Sequence, residues 1–250
     1  MNFIIYINNI FMCSINHDLK ALFIHIPKTA GIYIRSTLEK YYDFDLFLLK
    51  RPDHKEYCKT NIKLNEEHKL TFCCNKGAIQ YYSTSEDLNE LIDMDYEKWN
   101  TYIKFCVVRN PYEKAISAWN YLMETEKLNI DFDKYLKFKD IVSENEYWHL
   151  FLSQYENMID SNGKMLVDLD NVIKFEKLEE DFERVLKKIG IKEIIHNKDK
   201  VKNSRPHGYY KEYYNQESLN IINKIYDKDF ELFGYKKYDN IDDFMNLKII

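Results

Sequence analysis

Apolar and polar positions along the chain alternate between two periods. A short, nearly unbroken apolar run, Ala21 to Ile26 (ALFIHI), ends at Pro27 and is followed by Lys28-Thr29-Ala30-Gly31, after which Ile34, Leu38 and Tyr41/Tyr42 recur at helical spacing. That order predicts strand, loop, helix. The same syntax returns at Tyr102 to Val108 (YIKFCVV), a buried-type strand, then Arg109-Asn110-Pro111, then a helix over Tyr112 to Thr125 with apolar Ala115, Ile116, Trp119 and Leu122. Asn110 suits the N-cap of that helix and Pro111 its first turn.

Farther along, the pattern predicts helices over 132–138 and 145–159, a strand at Val172 to Phe175, and an amphipathic helix over Leu178 to Ile189 whose charges form its wet side and which Gly190 closes. After a polar connection at 191–208, Asn215 caps a helix from Gln216 through Phe233 that stops at Gly234. Residues 43–101 hold a Lys-rich stretch at 50–69, a strand at Leu70 to Cys74 and a short helix near Ser85 to Met94. No solenoid-length repeat or low-complexity linker interrupts the series. Strands alternating with helices predict an α/β fold with a parallel sheet flanked by helices, whose ligands bind beyond the carboxyl ends of the strands. The expected organisation is a single domain over 20–238, preceded by an N-terminal extension (1–19) and followed by a C-terminal tail (239–250).

Composition narrows the functional classes. Among 250 residues, 36 Lys and Arg against 41 Asp and Glu leave a net charge of −5, without the basic excess of a general nucleic-acid binder. Hydrophobic residues reach 45% and Tyr and Phe alone number 21 and 15, enough for a substantial core. The five cysteines, Cys13, Cys58, Cys73, Cys74 and Cys106, have neither C-x-x-C spacing nor a zinc-like cysteine-histidine pattern, which favours reduced thiols. The apolar opening lacks a basic n-region and a small-residue cleavage site, and no stretch approaches a membrane span, so the expected location is cytoplasmic.

Both marked loops sit where a parallel sheet binds ligands. A helix start offers unpaired N–H groups and a positive dipole end; Lys28 adds a cation, and Gly31 allows close backbone approach. The loop reads as an anion cradle or as an ordinary strand-to-helix turn. It is not the Walker form G-x-x-x-x-G-K-[ST]. Arg109 leaves a buried strand straight into a second helix start and needs an anionic partner, either a ligand or a neighbour such as Glu113. Ser117 lies eight residues on. Two cationic strand-loop-helix units fit a nucleotide phosphorylated at two positions better than a linear triphosphate.

The segment Phe23-Ile24-His25-Ile26-Pro27-Lys28-Thr29-Ala30-Gly31 resembles the 5′-phosphosulfate loop of the carbohydrate sulfotransferases, including the heparan-sulfate 2-O and chondroitin types. Lys104 to Lys114 (KFCVVRNPYEK) with Ser117 is similar to the same family's 3′-phosphate motif. Weaker echoes are Gln154, Val172 to Leu178, Asn203-Ser204, Tyr209 to Tyr214 and Phe233-Gly234-Tyr235. The resemblance implies a P-loop-like domain that moves a sulfuryl group from 3′-phosphoadenosine 5′-phosphosulfate (PAPS) to a hydroxyl of a glycan or related acceptor, releasing PAP, without a metal. It implies that Lys28 is catalytic, that the 28–33 segment (Lys28, Thr29, Ala30, Gly31, Ile32, Tyr33) holds the 5′-phosphate, and that Arg109 and Ser117 hold the 3′-phosphate.

Two departures stand out. Relatives usually follow the glycine with Thr-Ser, where this chain has Ile32-Tyr33, so contact through hydroxyls would pass to Ser36, Thr37 or Tyr33. Many relatives also place a histidine base near 71–79, where this chain has none. His68 is the candidate base, with Glu66 and Glu67 as alternatives; His25, inside the apolar strand, reads as a packing residue, and Arg205 as a cofactor-closing or solvated loop charge. Two other readings stay open, a non-catalytic PAP- or glycan-binding module and a nucleotide-dependent phosphoryl-transfer enzyme. The second would need a Walker glycine and a magnesium-binding Asp.

Overall fold

The computed structural model of the chain describes residues 10–50, 100–125, 129–137, 150–159, 164–195 and 209–246. Five strands, β1 Ile10–Asn16, β2 Ala21–Ile24, β3 Asp45–Lys50, β4 Ile103–Val108 and β5 Val172–Lys174, form one sheet in the order β3-β1-β2-β4-β5. Around it lie α1 Gly31–Tyr41, α2 Pro111–Thr125, α3 Phe132–Lys137, α4 Leu178–Lys188, α5 Gln216–Ile225, α6 Asp227–Phe233 and α7 Ile241–Met245. The α/β class is as the periodicity predicts. The sheet is mixed rather than parallel throughout: β2, β4 and β5 are parallel, whereas β1 runs antiparallel to both β2 and β3.

Alternation across the parallel strands builds two core layers. Ala21, Phe23, Phe105, Val107 and Ile173 pack with Ile34 and Leu38 of α1 and Phe182, Val185 and Leu186 of α4. The opposite face, with Leu22, Ile24, Cys106, Val108 and Val172, packs against Met158, Val167 and Phe233 of α6. A further cluster joins α2, α3, α5, α6 and α7 around Tyr112, whose ring centroid is 4.8 Å from those of Phe230 and Phe244.

Several segments differ from expectation for identifiable reasons. Residues 10–16, expected in an N-terminal extension, form β1 inside the sheet. Its inward residues Cys13 and Ile15 alternate with Ser14 and Asn16, which are buried and polar. Ser14 Oγ donates to Glu39 Oε1 at 3.4 Å, and Asn16 Nδ2 donates to the carbonyls of Tyr42 and Asp43, each at 3.1 Å. Partners supplied from distant positions make those polar residues cheap to bury, and no sequence alternation records them. Residues 241–245, expected in a tail, form α7 and bury Phe244 completely. The helix expected over 216–233 breaks at Tyr226 into α5 and α6. Within 151–159 only the single turn Tyr155–Asn157 is helical, because side chains from elsewhere take backbone groups that a helix would pair. The expected strand at 70–74, the helix at 85–94 and residues 145–149 lie outside the described residues.

β5 is a three-residue edge strand whose outward groups are taken by α4. Lys174 N donates to Asp181 Oδ2 at 2.9 Å, and Val172 O accepts from Arg184 Nη2 at 2.8 Å.

The β2–α1 junction depends on close approach at Gly31. A Cβ there would lie 2.0 Å from His25 Cδ2 and 2.8 Å from His25 Cγ, so the imidazole occupies the space that any other residue needs. His25 in turn stacks on Phe23, with centroids 6.2 Å apart. Gly31→Ala should therefore cost about 1–3 kcal/mol through overpacking. In denaturant titrations, the Gly31→Ala cost should shrink when it is combined with His25→Ala; strict additivity of the pair would show that the ring does not set the glycine.

Candidate functional site

The carboxyl ends of β2 and β4, adjacent and parallel, open into the two cationic loops. Lys28 leaves β2 in the left-handed region with φ 68°, and Ala30, the residue before α1, adopts φ 70° and ψ 18°. For non-glycine residues each such conformation costs on the order of 1–2 kcal/mol, and this strain collects where loops are shaped for ligands. Thr29 is fully buried and donates its hydroxyl to Ile26 O at 2.9 Å, so its side chain braces the loop from within. The backbone N–H groups of Ala30, Gly31 and Ile32 have no hydrogen-bond partner among the described residues. Tyr33 N–H is already committed to Ala30 O at 3.0 Å, which removes it from the set of expected phosphate donors. Ser36 and Thr37, the expected substitutes for the lost hydroxyls, both donate to Tyr33 O, at 2.9 and 2.8 Å.

The Lys28 ammonium lies 4.1 Å from the centroid of the Tyr121 ring, contributed by α2. Burial first, and the positive charge of Arg109 second, lower its pKa to about 8 against the opposing charge of Glu124. At neutral pH it is a cation short of water and next to another cation. An anionic ligand relieves both penalties.

Arg109 is held by three side chains. Its Nε and Nη2 donate to Glu113 Oε2 at 3.2 and 3.0 Å, and its guanidinium carbon lies 4.3 Å from the Phe175 centroid. Of the two partners open in the sequence, Glu113 is the one present. Two of the five guanidinium donors are thereby used, and the other three retain their capacity for a second oxyanion. Gln154 grips the Arg109 peptide: Arg109 N donates to Gln154 Oε1 at 2.7 Å, and Gln154 Nε2 donates to Arg109 O at 2.8 Å. Asn110 caps α2 as expected, accepting Tyr112 N at 3.0 Å on Oδ1. Asn110 N donates to Glu176 Oε1 at 2.7 Å, and Glu176 Oε2 accepts the Tyr235 hydroxyl at 2.8 Å, tying the end of β5 to the α2 cap.

Of the expected site residues, Lys28 and Arg109 come near enough for their charges to interact. Ser117 is half-buried on α2, and Ile32 is half-exposed at the start of α1. His68, Glu66, Glu67 and Arg205 lie outside the described residues. Sequence reasoning missed Tyr121 and Asp229, which no local pattern distinguishes from packing or surface residues, and Phe175 and Glu176 appeared only within the faint echo at Val172 to Leu178. Gln154 appeared only as a faint echo. Among the described residues no group of three or more His, Cys, Asp or Glu side chains is arranged to hold a metal ion, and no helix is long and apolar enough to cross a membrane.

Comparison with known proteins gives these loops a family. The chain matches the model of the Sulfotransferase family over residues 12–236. It is 36% identical over 95 residues to an uncharacterized protein of Archaeoglobus fulgidus, an overlap covering 38% of this chain and 72% of that protein. No solved structure matches it. The family match takes in both cationic loops, the parallel strands that present them and the helices that follow, and the chain therefore belongs to the sulfotransferase family.

Proposed function

We propose that the protein moves a sulfuryl group from PAPS to a hydroxyl of a glycan or related acceptor and releases PAP. The observation that carries this reading is the pair of half-buried, mutually repelling cations, Lys28 and Arg109, at the carboxyl ends of adjacent parallel strands, each beside a helix start. A donor with phosphates at two separate positions satisfies both. The N–H groups of Ala30, Gly31 and Ile32 would take the 5′-phosphate, with Arg109 and Ser117 on the 3′-phosphate.

In the reaction an acceptor oxygen forms a bond to sulfur as the bond between sulfur and the phosphate oxygen breaks, and the electron pair leaves with PAP. Lys28 is the group whose interaction strengthens along that path, because negative charge grows on the oxygen it faces. The acceptor proton passes to a base, for which His68, Glu66 and Glu67 are the candidates. The commitment of the Ser36 and Thr37 hydroxyls to Tyr33 O favours a second reading, a PAP- or glycan-binding module without turnover.

Thermal-shift titration separates the possibilities. A ligand at 100 times its Kd stabilises by about 2.7 kcal/mol, so PAP should raise the melting temperature of the protein and fail to do so in Lys28→Ala or Arg109→Ala. An equal response to ATP with magnesium would favour phosphoryl transfer, and PAP binding without turnover of labelled PAPS would favour the binding module. Where turnover is seen, Lys28→Ala should lower kcat by about 10²–10³-fold, the scale of one lost donor to a developing oxyanion.

The pH dependence has a defined sign. Lys28 is charged below its folded-state pKa of about 8 and neutral above it, so kcat/KM for PAPS should fall as pH rises through about 8. In Lys28→Arg that descending limb should disappear, since a guanidinium stays charged. A wild-type profile still rising at the pH of lysine's ordinary pKa would remove Lys28 from the role.

A further inference from the structure

Arg109 is fixed at its guanidinium by Glu113 and Phe175, and at its peptide by one side chain. Gln154 is fully buried, and its amide accepts from Arg109 N, donates to Arg109 O, and donates its second hydrogen to Asp229 Oδ2 at 3.2 Å. Each amide hydrogen is used, and so is the carbonyl. Asp229, fully buried on α6, also accepts Gln154 N on Oδ2 and Tyr155 N on Oδ1, each at 2.8 Å. Lys114, fully buried on α2, donates to the carbonyls of Leu150 and Leu152 at 3.1 and 2.9 Å. A carboxylate thus holds the N–H groups of this short segment, and an ammonium holds its carbonyls. Burying both charges is costly, and an apolar filling would pack the same space more cheaply. What the charges achieve is one fixed orientation of Gln154.

We propose that Asp229 and Gln154 are positioning residues for the anion contact of Arg109: Asp229 fixes the Gln154 amide, and Gln154 fixes the peptide from which the guanidinium reaches the ligand. The identity of that ligand as the 3′-phosphate of PAP rests on the functional reading above; the coupling to the Arg109 backbone does not. Asp229 faces three N–H donors, so only the ionised carboxylate satisfies them all. A protonated carboxyl, or the amide of an Asp229→Asn variant, turns a donor against donors.

Burial raises the Asp229 pKa to about 6, opposed by the N–H groups of Gln154 and Tyr155, by the charge of Lys114 and by the Gln154 amide. The hydroxyls of Tyr226 and Tyr235 are raised chiefly by burial; Asp229 and then Glu156 add to this at Tyr226, and Glu176, Glu113 and Asp229 at Tyr235. As pH falls through about 6, Asp229 takes up a proton, Gln154 loses its anchor, and the hold on Arg109 weakens. Asp229's contribution to folding runs the other way. Its folded pKa exceeds the unfolded one, so that contribution is complete at low pH and is lost as pH rises through about 6. Opposite signs for ligand affinity and stability separate positioning from a merely structural role.

The test uses the whole chain with arginine selectively labelled with nitrogen-15. In the unliganded protein the Arg109 amide resonance should move with pH about an inflection near 6, and that inflection should vanish in both Asp229→Asn and Gln154→Met. PAP affinity by calorimetry at neutral pH should fall about tenfold or more in each variant, the scale of a lost hydrogen bond to a charged group. On acidification wild type should lose more affinity than the variants, which share the phosphate's own titration. Leu186→Ala, in the opposite core layer, should lower stability while leaving the Arg109 titration and PAP affinity intact. An Arg109 amide indifferent to Asp229, or variants that bind PAP as wild type does, would overturn the proposal. If wild type binds no PAP, the functional reading fails while the Arg109 resonance still decides the positioning.

Discussion

Charge withdrawn from water governs this molecule. Two cations stand at the carboxyl ends of neighbouring parallel strands, and one depresses the pKa of the other. Such an arrangement survives only where the surrounding fold is rigid enough to prevent either side chain from swinging out to solvent. The rigidity is visible on both sides: left-handed backbone at Lys28 and Ala30, a buried threonine bracing the turn, and an arginine whose guanidinium and peptide are held separately. Folding holds the two charges together despite their repulsion.

One helix serves both loops. α2 begins at the Asn110 cap, presents Glu113 to Arg109 within its first turn, buries Lys114 beneath the segment that carries Gln154, and reaches Lys28 with Tyr121. Both cations thus touch one helix, itself packed through Tyr112 into the helical cluster.

The two loops were legible in the sequence because their chemistry is local: a strand-like run, a cation, a helix start. Asn110 and Pro111 announced α2 for the same reason, and the family match bears out the sulfotransferase resemblance of those segments at the level of the broad family. β1 was not legible. Its Ser14 and Asn16 look like solvent-facing positions until Glu39 and the carbonyls after α1 are brought beside them. Asp229 was hidden differently, as one acid among several in a charged helix; only the break at Tyr226 separates it into α6, where it meets the N–H groups of residues 154 and 155. Long-range satisfaction of buried polar atoms is the information that periodicity does not carry.

The free side of β5 has a consequence for how copies of the protein meet. With its outward N–H and carbonyl already occupied by Asp181 and Arg184, this margin presents no vacant ladder for a neighbouring chain to extend. A self-association that prolonged the sheet past β5 would first have to break a carboxylate–guanidinium clasp, so the short strand acts as a terminus.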